Sequence, residues 1–206
     1  MSEEVFDLEH LVQLLTQGNP IVYPTTTLPG LGCIPNSEAL DKLYELKGRE
    51  FTQPVSLAIT CLSMVEDKLE WPEELPEMIE AFPPSSISFI LPAKTPFEQR
   101  LGGENVAIRC VTHPIAVELV QRVGPITATS ANPSGVIPSP NCLDAAKSIG
   151  LSAEETIEID CPGGLGSTFV KFEKNQQVDK GWVITIMREG VVPAKEVVSW
   201  WMSKRT

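Results

Sequence analysis

The first apolar residues of the chain recur at the spacing of an α-helix. They occupy positions i, i+3, i+4 and i+7, at Leu8, Leu11, Val12 and Leu15. This spacing places them on one face of a helix, so the pattern predicts an amphipathic helix that covers a sheet. Asp7 is suited to the N-cap and Gly18 to the stop, because Asp accepts hydrogen bonds from free backbone N–H groups and Gly tolerates the left-handed conformation.

A strand, a loop and a second helix are predicted next. The apolar run 21–23 is typical of a short buried strand, and PTTTLPGLGC follows it, with Gly30 to Gly32 interpreted as a turn. The second helix is predicted to run to about Lys47, with Leu40, Leu43 and Tyr44 facing inward.

The remainder of the chain alternates irregularly between strand and helix patterns. Strands are predicted over 55–60, 86–91, 106–111, 126–129, 156–159, 169–172 and 183–187. Helices are predicted over 73–81, 115–123 (with Pro114 at its first position) and 143–149, and a last one after Pro193, where Trp200 and Trp201 are expected in the core or a subunit contact. Such an order favours an α/β fold with a large mixed sheet flanked by helices over a regular parallel sheet.

Composition indicates a globular α/β protein. The 206 residues are 42% hydrophobic and 21% charged, which suits one domain over 1–206 with a core at about 10–195. The formal net charge of −11 argues against a surface built to grip nucleic acid. A small anion remains compatible with that charge, because a few cations in one cleft set the local field.

Cysteine usage and hydropathy favour a cytoplasmic protein. Five widely spaced cysteines without a CxxC pair suggest neither disulfides nor a zinc site, so reduced and mostly buried thiols are expected. No apolar run reaches the roughly 20 residues of a membrane helix, and the acidic start MSEEVFDLEH lacks the features of a secretory signal. We therefore expect no membrane association.

Two short motifs could hold an anion, and each also has a purely structural interpretation. Thr25 to Thr27 follow a strand end, where hydroxyl and N–H groups can face a ligand, although threonines also cap turns. Lys47-Gly48-Arg49 follows a helix. Lys47 lies seven residues after Leu40 and continues its inward stripe, whereas Arg49 offers a planar fork for phosphate or carboxylate. Solvated capping of the helix end by two cations is the alternative.

A third motif, TSANPSG at 129–135, follows another strand. Ser130, Asn132 and backbone N–H groups could bind phosphate oxygens, although an Asx-type turn would explain the same residues. Arg109 and Arg188 lie in apolar strands, so each needs an anionic partner, either an acidic side chain of the chain or a bound ligand. GGLGST at 163–168 resembles neither a Walker loop nor a dinucleotide fingerprint.

The order of these motifs resembles the YrdC-like family over roughly residues 10–195. Its pattern runs from a Pro-Thr-x-Thr loop with Gly-Leu-Gly, through Lys-x-Arg, to Ser-x-Asn and Ser-Thr, and the matching segments are PTTTLPGLGC, LKGR, TSANPSG, GST and MREG. The resemblance implies a YrdC-type fold with a concave cleft. It also implies synthesis of threonylcarbamoyl-AMP and pyrophosphate from threonine, bicarbonate and ATP, with Mg²⁺ shielding the phosphates and the product passing to a partner protein that modifies tRNA.

The resemblance also implies a role for each matching residue. Lys47, Arg49, Ser130 and Asn132 would bind the nucleotide phosphates and form the catalytic group, and Arg188 would reach the same nucleotide. Thr25, Arg109 and Ser167 would position threonine. Displacement at phosphorus depends largely on positioning and on cations aimed at developing charge, so no protein nucleophile is required.

Three positions depart from the family pattern. Thr26 replaces a usual acidic residue, Pro29 a usual aromatic residue, and Ala58 a histidine that many members carry. Two alternatives stay open: a non-catalytic paralogue that binds tRNA or double-stranded RNA or has a regulatory role, and a carbamoyl-adenylate enzyme that uses another amine or carbamoyl donor.

Overall fold

A computed structural model describes residues 8–205 and contains eight strands and six α-helices within that range. The helices are α1 (Leu8–Thr16), α2 (Ser37–Lys47), α3 (Leu75–Ala81), α4 (Pro114–Val123), α5 (Cys142–Ser148) and α6 (Ala194–Ser203). The strands are β1 (Ile21–Tyr23), β2 (Gly30–Gly32), β3 (Ser56–Ile59), β4 (Ile87–Pro92), β5 (Asn105–Cys110), β6 (Ile126–Ser130), β7 (Thr168–Lys174) and β8 (Trp182–Arg188). Asp7, the predicted N-cap of α1, lies outside the described residues.

The eight strands form one mixed sheet in the order β1-β2-β6-β3-β5-β4-β7-β8. Two neighbouring pairs, β3 with β5 and β4 with β7, are parallel, and the other pairs are antiparallel. The predicted mixed sheet flanked by helices is therefore confirmed. Only three of its seven strand pairs, β1-β2, β4-β5 and β7-β8, join strands that are consecutive in the chain, so most of the sheet is built from non-local pairing.

Helices pack on both faces of the sheet. Alternate residues of a strand point to opposite faces, and in β3 Leu57 and Ile59 join one hydrophobic cluster whereas Ala58 joins the other. The cluster with Leu57 receives apolar side chains from α2, α3, α5 and α6, and the cluster with Ala58 receives them from α1 and α4. Trp201 lies in the first cluster with its ring edge-on to Phe172 at 5.4 Å, in agreement with the core placement predicted for it.

The segment Gly30–Gly32 is a strand, and its interpretation as a turn was wrong. It pairs with β1 on one side and β6 on the other. Glycine is required here by packing and not by positive φ, because a Cβ at Gly30 would lie 2.8 Å from Tyr23 Cζ and one at Gly32 would lie 2.7 Å from Tyr23 Cε1. The Tyr23 ring thus lies flat over this strand, an arrangement that local turn chemistry does not reveal.

Residues 156–159 do not form the predicted strand. Only a single parallel bridge joins Thr156 to Val22, where the Thr156 hydroxyl donates to the Val22 carbonyl at 3.0 Å. Ile157 is buried in the cluster with α1 and α4, so its hydrophobicity reflects packing and not a ladder of backbone hydrogen bonds.

No helix among residues 8–205 is long and apolar enough to cross a membrane. The five cysteines are free, and four of them are buried, as expected from the sequence. Cys61 is the exposed one.

Candidate functional site

A cavity of about 270 Å³ lies where the ends of several central strands meet the loops that follow them. Six of the eight residues predicted for the site line it, and they are Thr25, Arg49, Arg109, Ser130, Ser167 and Arg188. The wall also includes Tyr23, Pro29 and Phe169. The structure therefore gathers in one place residues that are up to 163 positions apart in the chain.

The charge of the cavity is opposite to that of the protein. Three arginines, Arg49, Arg109 and Arg188, line it, whereas its lining within the described chain contains no aspartate or glutamate. None of the three forms a salt bridge with a carboxylate of residues 8–205. Acidic side chains of the chain therefore do not supply the anionic partner that Arg109 and Arg188 need, and the cavity is suited to an anionic ligand.

Arg109 is held in the cavity wall beside the threonine loop that follows β1. Its Nε donates to the Ser85 carbonyl at 2.9 Å and its Nη2 donates to Thr27 Oγ1 at 3.0 Å. Ser85 adopts a left-handed conformation (φ 59°), and its hydroxyl donates to the Cys110 carbonyl at 2.6 Å, which orients its own carbonyl toward Arg109. Burial chiefly lowers the pKa of Arg109, and the positive charge of Arg188 acts in the same direction, so an anion here would relieve both effects.

The threonine loop after β1 presents two of its hydroxyls to the cavity. Thr25 and Thr27 line the wall, and Thr25 Oγ1 donates to the Leu28 carbonyl at 2.7 Å while accepting from the Thr27 N–H at 3.1 Å. Thr26 is not among the lining residues, and its Oγ1 is buried without a hydrogen-bond partner in the described chain. Thr27 belongs to the motif predicted to face a ligand but was not assigned a role in binding threonine, although its i+2 spacing from Thr25 places both on the same side of an extended segment.

Ser167 and Arg188 are positioned by the pairing of β7 with β8. Arg188 Nη2 donates to the Ser167 carbonyl at 2.8 Å, and its guanidinium lies 4.4 Å from the centre of the Phe169 ring. Ser167 Oγ lies 2.8 Å from Ser88 Oγ, so a hydroxyl pair faces the cavity. Ser88 was missed by sequence reasoning, yet it is a polar residue inside the apolar strand ISFIL, which is the signal that would have found it.

Lys47 lies behind the cavity wall and fastens the loop after β6. The side chain of this residue is buried at 3% exposure, as its inward spacing predicted, and Nζ donates to the carbonyls of Ser130 (2.5 Å) and Asn132 (2.7 Å). The backbone of the same residue accepts from the Ser134 N–H at 2.9 Å. Burial lowers the pKa of Lys47 to about 8, and the neighbouring charge of Arg49 contributes.

Asn132 shapes the same loop from within. Its Nδ2 donates to the carbonyls of Pro133 (2.8 Å) and Val136 (2.7 Å), whereas its Oδ1 is buried without a partner among residues 8–205. Neither Lys47 nor Asn132 lines the cavity, so direct contact of these two side chains with a ligand stays a prediction. Lys47 Nζ and the Asn132 backbone N–H both donate to the carbonyl of Ser130, which does line the cavity.

Arg49 reaches the cavity because of the way α2 ends. Gly48 adopts the left-handed conformation (φ 55°) that terminates a helix, and the chain then turns toward the start of β3. Arg49 donates from Nε to the Gln53 carbonyl at 2.8 Å and from Nη2 to the Pro54 carbonyl at 3.0 Å. Its guanidinium lines the cavity, where it can meet a ligand.

Of the three departures from the family pattern, only Pro29 contributes to the cavity wall. Ala58 is fully buried in the cluster with α1 and α4 and is not a lining residue. The Ala58 side chain therefore packs beneath the sheet and takes no part in the lining of the cavity.

Comparison with known proteins gives consistent results. The Sua5_yciO_yrdC family model, described as telomere recombination, matches residues 13–190. The chain is 32% identical over 166 residues to a protein of Halorhodospira halophila named threonylcarbamoyl-AMP synthase, covering 78% of this chain and 85% of that protein.

Solved structures show the same fold. P. abyssi Sua5 complexed with L-threonine superposes with a TM-score of 0.78 at 24% identity, over 97% of this chain. This chain spans 58% of the length of that Sua5. E. coli YciO superposes with a TM-score of 0.70 at 20% identity over 91% of each chain. The match to the family model over residues 13–190 and the 32% identity to the H. halophila protein show that the chain belongs to the Sua5/YciO/YrdC family.

Proposed function

We propose that this protein is an ATP-dependent threonylcarbamoyl-AMP synthase. The observation that carries the proposal is the cavity lined by three arginines and, within the described chain, by no carboxylate, in a protein of net charge −11. Both ATP and threonine present anionic groups to such a cavity. The name of the H. halophila relative and the threonine complex of P. abyssi Sua5 support the same pair of substrates.

Threonine is proposed to bind at the end of the cavity formed by Thr25, Arg109 and Ser167. Arg109 is already oriented by Ser85 and Thr27, so its guanidinium can meet the threonine carboxylate without reorganisation. The hydroxyls of Thr25 and Ser167 are proposed to position the polar groups of the amino acid.

The nucleotide phosphates are proposed to bind against Arg49 and Ser130. Lys47 adds positive charge from behind the loop and, with Asn132, keeps Ser130 in place. Arg188 contacts Ser167, and its Nε and Nη1 have no partner within residues 8–205. We propose that these free N–H groups reach the phosphates where the two substrates meet.

The residues present suit a reaction without a protein nucleophile. In the proposed first stage the threonine amine attacks bicarbonate and water leaves, which forms a carbamate. A carbamate oxygen then attacks the α-phosphorus of ATP, and pyrophosphate departs, which makes the enzyme a nucleotidyltransferase. Arginine side chains aimed at the phosphates stabilise the charge that develops on their oxygens.

The cavity does not fit a Mg²⁺ ion held by protein carboxylates. Mg²⁺ in nucleotide sites is bound by one or two carboxylates together with phosphates and water, and the described lining contains hydroxyls but no carboxylate. The Mg²⁺ implied by the resemblance is therefore proposed to enter as part of the MgATP substrate.

The proposed partner protein and the role in tRNA modification follow from the identity of the product. Threonylcarbamoyl-AMP would pass to a partner protein that modifies tRNA in the cytoplasm, and the chain would act as one domain. The non-catalytic RNA-binding alternative is not favoured, because the relatives carry the name of a synthase and the net charge of −11 opposes binding to a polyanion.

The direct test of this proposal is threonine-dependent release of pyrophosphate. Incubation with MgATP, bicarbonate and threonine should yield pyrophosphate and a product with the mass of threonylcarbamoyl-AMP, and omission of any one substrate should abolish both.

Arg109→Met should raise the KM for threonine at least tenfold, because the threonine carboxylate loses the guanidinium that pairs with it. Arg122→Met, which alters a surface arginine paired with Glu9, is the matched control. Equal pyrophosphate release without threonine would contradict the proposal.

The affinity for ATP should fall as the pH rises above 8. The pKa of Lys47 is about 8 in the free protein, so above that pH its ammonium is lost and the phosphates lose a nearby charge. By linkage the dissociation constant should increase by up to about tenfold per pH unit between pH 8 and 10. Calorimetry of ATP binding from pH 7 to 9.5 measures the slope. Lys42→Met, a change on the solvent side of α2, should show the same pH dependence of ATP binding. An ATP dissociation constant that does not change with pH in the unmodified protein would rule out this role for Lys47.

A further inference from the structure

Two buried thiols lie close together beside the threonine loop. Cys142, the first residue of α5, and Cys161, which precedes the glycine-rich segment, have their Sγ atoms 4.0 Å apart. The two residues are 0% and 6% exposed. An antiparallel bridge between Asn141 and Asp160 holds the two segments side by side.

Cys161 also contacts the candidate site. Its Sγ accepts a hydrogen bond from the Thr25 N–H at 3.4 Å. Two residues later, the Gly163 N–H donates to the Thr27 carbonyl at 2.7 Å. Because Thr27 Oγ1 in turn accepts from Arg109, the segment from Cys161 to Gly163 supports the groups that line one end of the cavity.

We propose that Cys142 and Cys161 form a modifiable dithiol whose oxidation to a disulfide by a peroxide weakens ligand binding at the Thr25–Arg109 end of the cavity. If the proposed function holds, that ligand is threonine. The expected weakening of threonine binding therefore rests on the proposed function. The modification itself depends only on the two thiols and on their contacts with the loop.

The chemistry balances with peroxide as the oxidant. The Cys161 thiolate attacks one peroxide oxygen and the O–O bond breaks. The departing hydroxide takes up the proton that the thiol released, so water departs and Cys161 carries a sulfenic acid. The Cys142 sulfur then attacks Cys161 Sγ, the S–O bond breaks, and a second water departs, so two thiols and one peroxide give one disulfide and two waters.

The two thiols differ in pKa and in burial, as expected if Cys161 is oxidised first and Cys142 then attacks it. The hydrogen bond from Cys142 chiefly lowers the pKa of Cys161, and the Thr25 N–H acts in the same direction. The same hydrogen bond, together with burial, raises the pKa of Cys142. Cys161, which is also the less deeply buried of the two, is therefore the thiol that reacts first.

Formation of the disulfide between Cys142 and Cys161 would disturb the threonine loop after β1. A disulfide has an S–S distance of about 2.05 Å, so the 4.0 Å gap must close by about 2 Å. Cys161 Sγ would move toward Cys142 and away from the Thr25 N–H, whose acceptor would be lost. Because Gly163 is tied to Thr27, the movement is transmitted to the residue that orients Arg109.

The experiment uses Cys61→Ser as the parent protein, because Cys61 is the exposed cysteine and would complicate oxidation. The parent and the double variant Cys61→Ser, Cys142→Ala are treated with hydrogen peroxide. A second sample of each oxidised protein is then reduced with dithiothreitol. Three quantities are measured: the peptide linked between Cys142 and Cys161, the hydrogen exchange of the segment 24–28, and the dissociation constant for threonine. Cys142 does not line the cavity, so the reduced double variant should bind threonine as the parent does.

We expect the oxidised parent to contain the linked peptide, to exchange faster over 24–28 and to bind threonine at least fivefold more weakly, with full reversal by dithiothreitol. The double variant should show none of these changes. The proposal is overturned if no linked peptide forms at peroxide concentrations that oxidise Cys61 in the unmodified protein, or if it forms without a change in exchange. Reduced protein that fails to bind threonine would refute the proposed function alone, since exchange over 24–28 still reports the effect of the disulfide.

Discussion

Replacing Lys47 with methionine should lower kcat/KM for threonine-dependent pyrophosphate release by about 100-fold or more. Methionine keeps most of the stem packed in the core but removes the ammonium that fastens the carbonyls of Ser130 and Asn132. The loop that carries Ser130 would loosen, and the nucleotide phosphates would lose a nearby charge. Loss of one preorganised group of this kind typically reduces kcat by about 10² to 10³.

Steady-state kinetics and ATP binding measure this effect. Lys42→Met is the matched control, because Lys42 lies on the same helix and its Nζ donates to Asn19 Oδ1 outside the cavity. The control should retain activity within about twofold, as expected for a surface substitution. Activity of Lys47→Met within threefold of the unmodified protein would show that neither the charge nor the fastening of the loop matters.

Replacing Gly190 with alanine should destabilise the protein by about 3 kcal/mol or more, beyond the usual range for overpacking. An added Cβ would lie 2.2 Å from the Gly166 carbonyl oxygen and 2.5 Å from the Ser167 carbonyl carbon, and both are backbone atoms that cannot rotate away. The Thr168 hydroxyl ties these segments together, because it accepts from the N–H groups of Gly190 (3.0 Å) and Val192 (3.2 Å). Forced separation would also displace Ser167 and its contact with Arg188.

Chemical denaturation gives the change in the free energy of unfolding, and calorimetry gives the loss of threonine binding. Gly124→Ala is the control. Gly124 has a positive φ of 85°, which Gly190 does not share, and its added Cβ would meet nothing within 4 Å. The control therefore measures the backbone strain alone, of about 1 to 2 kcal/mol, without affecting threonine binding. Equal destabilisation by the two substitutions would show that the close approach at Gly190 is relieved elsewhere.

Most of the elements were predictable because their signals are local. The amphipathic spacing of α1 and α4, the Gly48 stop of α2, and the apolar runs of the central strands each depend on neighbouring residues. The inward position of Lys47 followed from the same periodicity and is confirmed by its burial. Its contact with the Ser130–Asn132 loop, on which the hypothesis of a shared phosphate site depended, is likewise present.

The errors arose where long-range packing decides the outcome. Gly30 to Gly32 have the composition of a turn but form a strand, because β1 and β6 lie on either side and the Tyr23 ring needs the space that glycine leaves. Residues 156–159 have the hydrophobicity of a strand but only one bridge to β1, because packing of Ile157 and Ile159 against the cluster with α1 and α4 accounts for that hydrophobicity. Thr27 and Ser88 are held in the cavity wall by Arg109 and Ser167, partners that lie far away in the chain.

The sequence by itself determined that this is an α/β protein with loops suited to anions after its strands, and its motif order pointed to the family. The tertiary structure decided that Arg49, Arg109 and Arg188 share one cavity without a carboxylate in its described lining, and that Cys142 and Cys161 meet beside the threonine loop. The physical reason is that helical and strand patterns depend on adjacent residues. The order β1-β2-β6-β3-β5-β4-β7-β8 depends on pairing between strands far apart in the chain, and only that order brings these side chains together.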